Sequence, residues 1–154
     1  LSRIEEMRAQ EGAQLKNDIL AKVANIRATL KLIEVHAPRI VENYRAKTRE
    51  RIADLLLDMN AELDEMRLAN EIAIYADKTN INEEIVRIYS HLEQIDAILT
   101  DTEPVGRKLD FLVQELNREI NTIGSKSPDI DISNLVIGLK SDIEQIREQI
   151  QNIE

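Results

Sequence analysis

The sequence predicts an all-α chain: an elongated antiparallel helical bundle of about six helices, two of which form a coiled-coil-like hairpin. Three observations predict it. Only 3% of the 154 residues are aromatic, with four Gly, three Pro and no Trp, whereas sheets favour aromatic residues and their hairpins need turn residues. Apolar residues recur at three- and four-residue spacing along most of the chain. Capping and breaking residues stand where those runs start and stop.

Taken in order, Leu15, Ile19, Val23, Ile26, Leu30 and Ile33 form a heptad seam, which predicts a first helix packed lengthwise on a partner. Gly12 costs about 1 kcal/mol inside a helix and reads as a bend. His36-Ala37-Pro38 is expected to end this helix, because the residue before proline is pushed out of the α region. A second helix is expected over 39–59, with Val41, Tyr44, Ile52, Leu55 and Met59 as its stripe, and the first two together read as a long αα-hairpin. Asn60 reads as the cap of a third helix ending near Asp77. That helix is apolar on two sides (Leu63, Met66 and Ile74; Leu68, Ile72 and Tyr75) and is expected to be the most buried. Lys78-Thr79-Asn80 is a turn, and Asn80 with Glu83 reads as a capping box. The fourth helix carries Ile85, Ile88, Tyr89, Leu92, Ile95 and Leu99. A loop is expected over 100–104. The fifth helix, over 106–123, carries Leu109, Leu112, Val113, Leu116, Ile120 and Ile123, with Gly124 as its stop. After a polar loop over 125–131 comes a sixth helix with Leu135 or Val136, then Leu139, Ile143, Ile146, Ile150 and Ile153.

The net charge of −9 removes the strongly basic footprint of bulk nucleic-acid binding. It leaves room for a carboxylate site that recruits a divalent cation. The absence of Cys excludes disulfides and thiolate metal sites. No apolar run reaches membrane-spanning length. The chain opens at Leu1 inside a helical pattern, so a fragment of a longer protein is expected. No GxSxG, phosphate-cradling glycine loop or dinucleotide fingerprint is present.

Three groups of residues can carry chemistry. Glu84, Arg87, His91 and Gln94 form one polar strip on the fourth helix. A carboxylate and an imidazole two turns apart suit a divalent metal or an acid/base pair. A solvated flank with a Glu84–Arg87 ion pair is the plainer reading. Phe111, the sole Phe, lies off its helix's apolar stripe among Arg107, Gln114 and Arg118. Such a setting suits either a stacked base or a protein interface. Asp110, Glu115, Asn117, Glu119 and Asn121 crowd the same helix with oxygen donors, which suit a hard cation or ordinary helix-surface polarity. Arg45, Lys47, Arg49 and Arg51 flank the second stripe, where they suit phosphate contacts or pairing with acidic partners.

The run GRKLDFLVQELNREINTIGSKS over 106–127 closely resembles the signature of the YicC/YloC family of bacterial endoribonucleases. EIAIYADKTNINEEIVRIYSHLEQ (71–94), RAQEG (8–12) and REQIQNIE (147–154) are similar to further family stretches, so the resemblance covers essentially the whole chain. Tyr75 and Tyr89 stand where Phe and Leu are expected. The resemblance implies the C-terminal helical domain of a longer cytoplasmic protein, here 1–154 with parts at 1–77 and 78–154, whose N-terminal domain is not in this chain. It implies a metal-dependent endoribonuclease using Mn2+ or Mg2+, with RNA as substrate and a homo-oligomer, a hexamer, as the working form. On that footing Glu84, His91, Glu115 and Glu119 are the expected metal ligands or acid/base groups. Arg107, Lys108, Arg118 and Lys126 are expected to hold RNA phosphates, and Phe111 to stack a base. The alternative is a non-enzymatic helical oligomerisation or RNA-adaptor module.

Overall fold

The computed structural model describes residues 2–101 and 106–153, with the side chain of Ile153 left aside. Among them the regular structure is helix: α1 (Ser2–Met59), α2 (Glu65–Lys78), α3 (Asn82–Thr100), α4 (Gly106–Lys126) and α5 (Ile130–Ile153). Five helices replace the expected six because the first two are one. α1 runs for 58 residues straight through Pro38, about 87 Å at the α-helical rise. Pro38 has no N–H to give the carbonyl of Glu34. The helix continues because Ile33, Ala37 and Ile40 carry one buried face across the site, the two isoleucines in the core and Ala37 packed against it. Tertiary packing here overrides the local preference of the pre-proline residue.

Four helices share the core. The seam of α1 (Ile19, Val23, Ile26, Leu30, Ile33) is fully buried, together with Ile88, Leu92 and Ile95 of α3, Leu109, Leu116, Ile120 and Ile123 of α4, and Leu139 and Ile146 of α5. α1 packs on α5 and α3, and α4 packs on α3 and α5. α1 and α3 run in opposite directions: Lys16 Nζ donates to the Asp101 carbonyl at 3.3 Å, while Arg27 pairs with Asp96 further along. α3 and α4 are also antiparallel, since Arg87 meets Glu119 and Glu84 meets Lys126.

Among the described residues, the far half of α1 extends beyond the shared core and is accompanied chiefly by α2. The hairpin therefore lies between the second half of α1 and α2, not across Pro38. Tyr44 and Tyr75 stack at 3.7 Å between ring centroids, and Arg49 donates twice to Glu65, both at 2.8 Å. α2 buries Leu68 and Ile72, packs Tyr75 against the edge of the core and leaves Met66 and Ile74 exposed. It is not the most buried helix, since among the described residues nothing covers the side that carries Met66 and Ile74.

Several boundaries shift for local reasons. Asn60 closes α1 instead of opening the next helix: it sits at φ 52, and the Ala61 N–H donates to the Leu56 carbonyl at 3.2 Å, a left-handed C-terminal closure. Asp64 caps α2 by accepting from Met66 N at 3.1 Å and Arg67 N at 3.2 Å. At α3 the N-cap position is Ile81. Asn80 Oδ1 accepts from Asn82 N at 2.9 Å, while Glu83 pairs with Arg87 instead of completing a box. α4 passes Gly124 and ends at Lys126. A Cβ at Gly124 would sit 3.4 Å from Val136 Cγ1, an ordinary van der Waals contact, and the glycine has helical backbone, so it neither stops α4 nor is demanded by the packing against α5. Gly12 interrupts nothing and lies within α1. The loop expected over 100–104 lies, from 102 onward, outside the described residues.

Candidate metal centre

The apolar stripes of α3 and α4 bury one side of each helix and bring their polar margins together. His91 comes from α3, and Glu115 and Glu119 lie one turn apart on α4. One donor atom from each falls within 4.8 Å of the others. Donors about 2.0–2.3 Å from a common cation stand roughly 3–4.6 Å apart, so the three side chains are close enough to close on one ion by rotamer adjustment. Both ring nitrogens of His91 are buried with no hydrogen-bond partner among the described residues. An imidazole so placed is costly unless something else satisfies it. One nitrogen and two carboxylates form a mixed donor set suited to a divalent ion. The residues present fit such a cation.

Glu84 is set apart from these three. It is 3% exposed; its Oε1 accepts from Lys126 Nζ at 2.7 Å and lies 3.7 Å from Arg87. Burial works to raise its pKa, but the hydrogen bond from Lys126, a backbone hydrogen bond and the two cations outweigh it and hold the carboxyl below its ordinary value. Arg87 then reaches Glu119, donating from Nε to Oε1 at 2.8 Å, and this hydrogen bond keeps the guanidinium firmly charged. The charges alternate from Lys126 through Glu84 and Arg87 to Glu119. Glu84 thus anchors the arginine that holds one oxygen of Glu119, a 6% exposed carboxylate. Arg87 was visible in the polar strip of the sequence, but its partner across the helix pair was not.

The expected phosphate-holding residues divide. Arg107, Lys108 and Phe111 line a pocket of about 250 Å³ together with Gln94, Ile98 and Leu112. Phe111 is 60% exposed. Arg118 is exposed on α4, and Arg107, Phe111, Glu115 and Arg118 follow one side of that helix by their spacing. Lys126 turns to Glu84 and also donates to the Asn80 carbonyl at 3.4 Å, so it is committed within the fold. A larger groove of about 500 Å³ lies beside Pro38, lined by residues such as Glu34, Val41, Ile81 and Val86, and holds none of the expected site residues.

Fold and site together define an all-helical domain with a histidine–carboxylate cluster, buried at Glu119 and half-buried at His91 and Glu115, at the meeting of two antiparallel helices. The family described as "Endoribonuclease YicC-like, C-terminal" matches residues 33–154, and the chain belongs to that family. Among curated relatives, a protein of Clostridioides difficile (strain 630) named "Probable endoribonuclease YicC" is 51% identical over 154 residues, all of this chain and 52% of the relative. A Haemophilus influenzae protein of the same name is 37% identical over 148 residues, 96% of this chain and 50% of the relative. The chain spans about half the length of these relatives. No helix among the described residues is long and apolar enough to cross a membrane.

Proposed function

We propose that this chain is the helical part of a divalent-metal-dependent endoribonuclease and that His91, Glu115 and Glu119 hold the cation. The observation that carries this reading is a half-buried imidazole whose two nitrogens are buried and unpartnered among the described residues, facing two carboxylates. The relatives' printed name supplies the reaction class. Imidazole in the donor set favours Mn2+ over Mg2+, which prefers all-oxygen surroundings. When bound, the cation would polarise a phosphate oxygen and lower the pKa of a water. The chain's own residues bind and orient. Arg107, Lys108 and Arg118 supply cationic contacts along α4, Phe111 offers a stacking face, and Arg87 fixes Glu119. Glu84 acts through Arg87 and stays outside the ligand set.

The proposal extends to a homo-oligomer working where RNA is, in the cytoplasm; the hexameric order comes from the family resemblance. Exposed Leu57, Met59 and Met66 around the α1–α2 turn are apolar surface that such an assembly would cover. They equally favour the second reading, a helical assembly module without catalysis. The two separate in one experiment. Structured RNA is incubated with the chain, and with a full-length relative, in Mn2+ or in EDTA. Mn2+-dependent cleavage that His91→Ala removes supports the nuclease. Assembly without cleavage by either protein overturns it in favour of the module.

A further inference from the structure

The pocket beside the metal centre has the chemistry of a nucleotide. Its floor is apolar, with Leu112 buried and Ile98 half-buried. Its wall is Phe111, and its rim is polar: Gln94, Arg107 and Lys108, all exposed. The core does not need Phe111, because Leu109, Leu112, Val113, Leu116, Ile120 and Ile123 already complete the buried face of α4. An aromatic ring stacks any base, and two cations beside it suit the attached phosphates. A glutamine amide both donates and accepts, as a base edge requires. Gln94 is held only loosely, by a 3.4 Å bond from Nε2 to Ser90 Oγ.

Position ties this pocket to the proposed cleavage site. Phe111 precedes Glu115 by one turn of α4, and Gln94 follows His91 by three residues on α3, so pocket and triad lie about 5–6 Å apart along the helices. A base in the pocket then belongs to a nucleotide next to the phosphate at the triad. A base still paired and stacked in a duplex cannot enter such a site.

We infer that the pocket of Gln94, Ile98, Arg107, Lys108, Phe111 and Leu112 takes one unpaired nucleobase beside the cleaved phosphodiester, stacked on Phe111 and read at its edge by Gln94. The substrate is RNA left unpaired at that nucleotide, and Gln94 sets the base preference there. This rests on the nuclease reading for its adjacency to cleavage, but not for binding.

The test has two arms. In EDTA, without cleavage, the chain is titrated by NMR with AMP, GMP, CMP and UMP. Shifts are expected at the pocket residues. Phe111→Ala should weaken the tightest of the four about tenfold, within the range for one stacked base, and Gln94→Ala should bring the four affinities within about twofold, by loss of edge hydrogen bonds. Both side chains are exposed, so the variants should keep the wild-type circular dichroism spectrum. In Mn2+, a single-stranded oligoribonucleotide carries one abasic nucleotide at successive positions. Cleavage should slow when the abasic position adjoins the cleaved bond and nowhere else. Nucleotide binding at the pocket without cleavage in any cation sinks the nuclease reading and sustains the pocket. Cleavage with wild-type base preference and nucleotide binding in both variants overturns the pocket and sustains the nuclease.

Discussion

Replacing Glu84 by Gln separates two roles for a buried carboxylate. Breaking a buried ion pair by removing one partner costs about 3–5 kcal/mol when the remaining charge stays buried. Here the cations keep access to water, Lys126 at 36% and Arg87 at 46% side-chain exposure, and the glutamine oxygen still accepts a hydrogen bond. The cost falls to about 1–2 kcal/mol, or about 2–8 °C in melting temperature for a domain of this size. The sign with pH follows from the depressed pKa. Glu84 contributes its full stabilisation above its ordinary value of 4.5, and loses it as pH falls through the lower folded value, because the unfolded chain takes up the proton first. The gap between wild type and Glu84→Gln should therefore be open at pH 7 and close in strong acid. Mn2+ affinity, measured on the same preparations by calorimetry, should fall by less than the roughly tenfold or more that loss of an outer-sphere partner costs, since Glu84 stands one contact further out, behind Arg87. A variant that melts like wild type but loses Mn2+ binding would refute this reasoning and make Glu84 a ligand.

Two further perturbations test other parts of the structure. Pro38→Ala restores a helical N–H opposite Glu34; an interior proline costs about 3 kcal/mol, and freeing the unfolded chain gives back up to about 1 kcal/mol. A net gain of about 2 kcal/mol is expected in chemical denaturation, and a loss would mean that α1 needs the proline at this position. Arg118→Ala should reduce the slope of log affinity against log salt for single-stranded RNA by about 0.7, the share of one phosphate contact. An unchanged slope in a folded variant would make Arg118 a structural residue.

The sequence carried helix identity well, because heptad and 3-4 spacing reflect which side of each helix is buried. Ile19 to Ile33 in α1 and Leu109 to Ile123 in α4 are core residues as read. It failed at Pro38, where a single local rule outweighed a face that continues from Ile33 through Ala37 to Ile40. It also misassigned Asn60 and Gly124, since asparagine serves either end of a helix and a glycine near a helix end need not take the left-handed conformation that stops it. In the site, His91, Glu115 and Glu119 were legible as residue types suited to a cation. Their convergence depends on how α3 registers against α4, which no spacing within one helix specifies. The same register draws Lys126, expected to hold an RNA phosphate, onto Glu84, and Arg87, read as pairing with Glu84 along its own helix, onto Glu119 as well.

Direct titration of Mn2+ into the metal-free chain, compared with His91→Ala and Glu115→Gln, tests the metal centre itself. Wild type should bind one cation, and each variant should bind it at least tenfold more weakly, since even outer-sphere changes cost tenfold or more. The metal-free melting temperature of His91→Ala should stay near wild type, because no hydrogen bond of His91 is lost. A wild-type chain that binds no Mn2+, or variants that bind it as tightly, would contradict a metal centre at His91, Glu115 and Glu119.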